Sequence, residues 1–205
     1  MIIENGSAKC APKARLNANH PVKGLCDVTI SDFWSWAYSD LACNTVRSVF
    51  AEYIIAQALG LTSAPRMEWT GVDFVWRGKK IEVKSAAFLQ SWPQKKHSTV
   101  RFDVSIRKGS WDPETGVTTK VDRRQADCYV FCLHDEKDGA KANVADLGQW
   151  RFFVLPTWII NERFNGMRSV SLKFLEEQSS AVDHGNVRER IQEALFEQDR
   201  SHAKT

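Results

Sequence analysis

The chain has 205 residues, 43% hydrophobic and 26% charged, with a formal net charge of +3. That is long and apolar enough for one domain with a sizeable core, and it excludes a disordered chain. No apolar run approaches the roughly 18–20 residues that span a bilayer, and the opening MIIENGSAKCAPKARLNANH lacks the apolar centre of a signal peptide, so a cytoplasmic protein without membrane contact is expected. Cys10, Cys26, Cys43, Cys128 and Cys132 form no CxxC pair and no zinc-finger spacing, which fits reduced thiols.

Residues 1–25 are polar and interrupted by Gly and Pro, and read as an irregular arm. SDFWSWAYSDL predicts a short helix capped by Ser31 or Asp32. Asn44 caps a second predicted helix, TVRSVFAEYIIAQAL, which Gly60 stops. That helix is apolar nearly all round, hence buried, and Glu52 is its only acid. GVDFVW and KIEVKSA alternate on either side of RGK and predict a strand hairpin. STVRFDVSI predicts a third strand with Val100, Phe102, Val104 and Ile106 on one face. RKGSWDPETGVTTK reads as a loop. DCYVFCL is apolar on both faces and predicts a central covered strand; QWRFFVLPT predicts a further one. VSLKFLEEQ and VRERIQEALFEQ predict C-terminal helices. The expected organisation is the arm, an α/β domain over residues 26–197, and a polar tail over 198–205.

Charge is unevenly spread. Between Arg77 and Arg124 there are 12 Lys and Arg against five acids, a net +7, while the rest of the chain carries −4. A basic middle suits a polyanion; a solvated lysine-rich face would look the same.

The hairpin carries the chemistry. With a two-residue turn at Arg77–Gly78, Asp73 lies opposite Glu82; with the turn at Gly78–Lys79, it lies opposite Lys84. Either register puts Asp73, Glu82 and Lys84 on one face, because side chains alternate. Directly opposed residues sit about 4.5–5.5 Å apart at Cβ, close enough for two carboxylates to share a hard cation such as Mg²⁺. Such a cation activates water for phosphodiester hydrolysis, and the lysine orients the nucleophile or stabilises developing charge. A surface salt-bridge lattice is the bland alternative. A second acid-x-Lys triplet, Asp135-Glu136-Lys137, has neither strand context nor a partner acid.

These residues resemble the PD-(D/E)xK nuclease superfamily: a helix, a hairpin carrying Asp and Glu-x-Lys, a third strand, a helix and a further strand. The resemblance covers residues 44–133, with Asp73 as the first acid and IEVKS supplying Glu82 and Lys84. Val72 stands where proline often precedes the first acid, and VDRRQA is the one segment able to supply the helix after the third strand. The resemblance implies a restriction-endonuclease-like mixed central sheet flanked by helices, in a single domain. It implies a Mg²⁺-dependent deoxyribonuclease, Mn²⁺ substituting. In many members an acid on the preceding helix completes the metal site, and Glu52 occupies that place. Pairing with Arg47 or another basic residue, or exposure at the helix edge, would also account for Glu52.

Candidate nucleic-acid contacts are Lys95, Lys96, Arg101, Arg123 and Arg124, which could hold phosphate, and Gln90 with Gln94, which could equally be exposed polar residues. Asp103 could flank the site. Trp92 and Trp111 could stack on bases or simply pack. Cys128, Cys132 and His134 read as buried structural groups rather than a zinc site. The favoured function is a metal-dependent nuclease acting on DNA ahead of RNA. The alternatives are a non-catalytic nucleic-acid-binding module with the same fold, and an interaction protein with an incidental acid-x-Lys. Sequence-specific cleavage would require loops 86–98 and 107–122, or a homodimer.

Overall fold

The hairpin closes through Arg77 and Gly78, both left-handed, at φ +52° and +76°. Two consecutive positive-φ residues make the tight turn whose twist matches that of its strands, and glycine takes one of them without strain. The turn joins β3 (Phe74–Trp76) to β4 (Lys79–Ala87), with Phe74 opposite Ile81 and Trp76 opposite Lys79. This is the first of the two registers allowed by the sequence.

The computed structural model describes residues 14–68, 70–111, 116–164 and 166–202, together with the backbone of a short antiparallel pair, β1 (Ile2–Glu4) and β2 (Ser7–Lys9), in the expected irregular arm. Cys10 and residues 112–115 and 203–205 lie outside the described residues, as does the side chain of Trp111.

A four-stranded mixed sheet forms the centre, in the order β3-β4-β8-β9. The strand β8 (Cys128–His134) runs parallel to β4 and antiparallel to β9 (Trp150–Pro156). Every residue of β8 is buried, as its two-sided apolar pattern requires. Cys128 and Cys132 within it are 0% exposed.

One face of the sheet is covered by α2 (Asn44–Leu59) and α5 (Val187–His202). Ile54, Ile55, Leu59, Ile191 and Leu195 pack there on Ile81, Val83, Val130 and Val154. Gly60, at φ +75°, stops α2 as expected, and Leu61 N donates back to Ala56 O at 2.8 Å. The other face is covered by α3 (Thr157–Arg163), α4 (Leu172–Gln178) and a two-stranded ribbon of β5 (Arg101–Asp103) with β10 (Ser169–Ser171). Phe102, Val170, Ile160 and Leu175 meet Phe131, Phe153 and Leu155 there. The architecture is α/β, with a mixed sheet and five α-helices among the described residues. None of these helices is long and apolar enough to cross a membrane.

Several expectations need correction. The first helix, α1 (Ile30–Tyr38), is capped by Thr29, with Asp32 reaching back to it: Thr29 N and Oγ1 both donate to Asp32 Oδ2 at 2.7 Å. The third strand shrinks to β5 and pairs with β10 instead of joining the hairpin. The expected loop at 107–120 is a second hairpin, β6 (Arg107–Trp111) with β7 (Thr118–Arg123). Its β-favouring TTKV was outweighed by the turn residues around it. VDRRQA supplies no helix; its first three residues end β7. The polar tail is helical as far as His202, because Ala194, Leu195 and Gln198 keep that last stretch anchored.

Candidate active site

Asp73 sits one residue ahead of β3, just beyond the last paired position, Phe74 opposite Ile81 on β4. Its carboxylate replaces a strand contact: Val83 N donates to Asp73 Oδ2 at 2.7 Å. Glu82 is only 4% exposed and lies on the face shared with Tyr129, its register neighbour on β8. Two cations converge on one of its oxygens. Lys84 Nζ donates to Glu82 Oε1 at 2.6 Å, and Arg107 Nη2 donates to the same atom at 3.0 Å. Period-two alternation places Lys84 there, and the start of β6 delivers Arg107.

Asp73 is the electrostatically stressed group. Burial, then Glu82, then Glu52 push its carboxyl up to about 7, against the opposing pull of the Val83 N–H and Lys84. Asp103, which lines the small cavity with Glu82 and Lys84, behaves differently. Burial pushes it up, but two hydrogen bonds from Ser105, with Lys84 and Arg107 nearby, hold it below the usual range. Burial first, and Glu82 second, push the Tyr129 hydroxyl up. A cavity of about 50 Å³ lies among Glu82, Lys84, Asp103, Arg107 and Tyr129, room for a water or one cation.

Glu52 projects from α2 and is held by Arg66, not by Arg47. Arg66 Nε donates to Glu52 Oε2 at 2.5 Å and Nη2 to Oε1 at 2.9 Å. Arg47 is buried and donates to Ala42 O, Asn44 and Gln90.

The described residues include no group of three or more His, Cys, Asp and Glu able to hold a metal ion. The donor chemistry nevertheless suits Mg²⁺ at two residues. Asp73 and Glu82 are hard oxygen donors, and Asp73 is raised first by burial and then by the two nearby carboxylates, so a cation beside it would favour its charged form. Mg²⁺ is commonly held by one or two carboxylates and completed by water. Glu52 could join only by releasing Arg66.

The expected phosphate contacts divide. Lys95, Lys96 and Arg123 are exposed. Arg101 is exposed and donates to Ser169 Oγ at 3.0 Å. Gln90 is tied into its own loop, donating to Ala87 O and Ser98 Oγ and accepting from Arg47. Arg124 is 7% exposed and is a strut: it donates to the carbonyls of Val104, Phe164 and Met167 and to Asn161 Oδ1. Burial lowers its guanidinium from the ordinary value. Of the two tryptophans, Trp92 is exposed.

Sequence reasoning missed Arg107, Arg66, Tyr129 and Gln125, which borders the small cavity. Arg66 left a faint signal: an acid on a helix as apolar as α2 requires a cation, and Arg66 is close in sequence.

No family model matches this chain, and no curated protein and no solved structure matches it either.

Proposed function

We propose that this chain is a Mg²⁺-dependent nuclease that hydrolyses phosphodiester bonds, DNA ahead of RNA, on a restriction-endonuclease-like core. The observation that carries the reading is the hairpin itself: Asp73, strained upward to about 7, beside Glu82 and Lys84. Support for the core comes from α2 ahead of the hairpin and from β8 lying parallel beside the Glu-x-Lys strand. The ribbon position of β5 and the lack of a helix between β7 and β8 depart from the superfamily pattern.

Asp73 and Glu82 would hold the metal. When bound, it would polarise the phosphate and lower the pKa of a water. Lys84 is held in place by Glu82 and directs its ammonium at the acid cluster, where it orients the attacking water and steadies negative charge on the phosphate. Arg107, half-exposed and anchored on the same Glu82 oxygen, offers its remaining donors to a phosphate. Lys95, Lys96, Arg101 and Arg123 hold the backbone on either side.

A second reading, a non-cleaving nucleic-acid-binding module, is favoured by one observation. Glu82 and Glu52 are each already neutralised by side-chain cations. Purified protein incubated with plasmid, linear and single-stranded DNA, with Mg²⁺ or EDTA, separates the two. Mg²⁺-dependent cleavage that Asp73→Asn abolishes supports the nuclease. Salt-sensitive binding without cleavage selects the module.

A further inference from the structure

A cavity of about 650 Å³ lies between α2 and residues 61–67 and 70–75, and Glu52 and Asp73 form part of its wall. Gly71 and Gln125 border both this cavity and the small one containing Glu82 and Lys84, so the two adjoin. Its volume falls within the range of about 300–1,000 Å³ typical of ligand pockets. The walls are mostly apolar: Val49, Ala56, Leu61, Val72, Phe74 and the ring of Tyr53. Arg15 and Lys80 supply positive charge; Arg66, also on the wall, is committed to Glu52 and Glu68. Gln125 Nε2 is shut off from solvent, and nothing among the described residues accepts its hydrogen bonds.

Phosphodiester hydrolysis at Asp73 and Glu82 has no use for an apolar hollow of this size. A nucleobase has. It carries two apolar faces and a polar edge, which match apolar walls with a few donors. The cations suit the phosphates flanking it. A base inside a duplex stack cannot enter a concave pocket; an unpaired or extruded one can.

We propose that this cavity receives the unstacked base next to the phosphodiester held at Asp73 and Glu82, so that the preferred substrate is DNA that is single-stranded or has a base out of the stack. The inference rests on the nuclease reading and adds its substrate class. Tyr53 and Phe74 offer the stacking surface, and Gln125 offers a donor to the base edge.

Full-length protein in EDTA, where no strand is cut, is titrated into short DNAs carrying 2-aminopurine: a single strand, a fully paired duplex, and a duplex with 2-aminopurine opposite an abasic site. The single strand and the abasic duplex should bind about tenfold more tightly than the paired duplex, the scale of one stacked base. Both should change 2-aminopurine emission on binding. Tyr53→Ala removes the ring, and Ala64→Leu narrows the cavity from an exposed position on its wall. Each should erase the preference while leaving paired-duplex affinity and the melting temperature near wild type. A preference that involves only the single strand or only the abasic duplex identifies which source supplies the base. Equal binding of all three DNAs, or a preference that survives both variants, overturns the cavity assignment. Mg²⁺-dependent cleavage would then still support the nuclease. Neither binding nor cleavage of any DNA would overturn both.

Discussion

Arg66 grips both carboxylate oxygens of Glu52, at 2.5 and 2.9 Å, while its other terminal nitrogen, Nη1, reaches Glu68 at 3.1 Å. The hydrogen bond to Glu52 is the chief reason Arg66 is held above its ordinary value. Glu52 is therefore neutralised without a metal, yet it still contributes to the stress on Asp73. Glu52→Gln should lower the Asp73 midpoint below about 7, which a carboxyl NMR titration reads directly. It should also lower the stability of metal-free protein by about 1–3 kcal/mol, towards the low end because Arg66 is partly solvated. An unmoved Asp73 midpoint would detach Glu52 from the acid cluster.

Asp73 makes the fold pH-sensitive in an unusual direction. Its folded midpoint is raised to about 7 from 3.8, so between those values the native state binds more protons than the unfolded chain. Stability from this group is complete below the unfolded value and is lost as pH rises through about 7. The loss amounts to at most about 4 kcal/mol. In EDTA, Asp73→Asn should melt close to wild type at pH 4 and clearly above it at pH 8. Mg²⁺ should raise the wild-type melting temperature at pH 8 and leave the mutant unmoved. A mutant less stable than wild type at pH 8 would contradict this account.

On the nuclease reading Lys84 would have two duties, and one substitution should expose both. Lys84→Ala should lower cleavage by about a hundredfold or more, the scale of losing one preorganised electrostatic contact. It should also cost about 1–3 kcal/mol, because among the described residues the buried Glu82 then keeps Arg107 alone as a cationic partner. Steady-state rates and urea melts separate the effects. Unchanged turnover would remove Lys84 from the chemistry.

Arg123 and Arg124 are neighbours with opposite surroundings, one exposed and one buried. Arg124→Ala strands three carbonyls and Asn161, and should cost about 3 kcal/mol or more in urea melts, with no specific change in DNA affinity. Arg123→Ala should leave stability within about 0.5 kcal/mol and flatten the salt dependence of DNA binding by roughly one unit of log–log slope. The reverse assignment of effects would mean that Arg124 faces the nucleic acid.

What could be read from the chain was what strand parity and turn chemistry control. Gly78 and the alternation around it located the hairpin, and parity alone put Glu82 and Lys84 on one face. The apolar run of β8 announced a covered strand. The features that stayed hidden depend on distant partners. Phe102 pairs with Val170 across the β5–β10 ribbon, a contact with no local signature. Arg107 reaches Glu82 from the separate β6–β7 hairpin, whose sequence is rich in residues typical of loops. Arg124 differs from Arg123 by one step along a strand end, which turns one side chain inward and the other to water.

The two thiols of β8 amount to a clock for the opening of the whole sheet. Burial holds Cys128 and Cys132 far above the ordinary thiol range, so neither supplies thiolate while β8 stays covered on both faces. Cys26, exposed on the surface, has no such protection. A thiol-specific reagent should therefore label Cys26 at once. The β8 pair should react only as fast as α2 and α5 come off the strands beneath them, so the slow phase of labelling times global unfolding under native conditions.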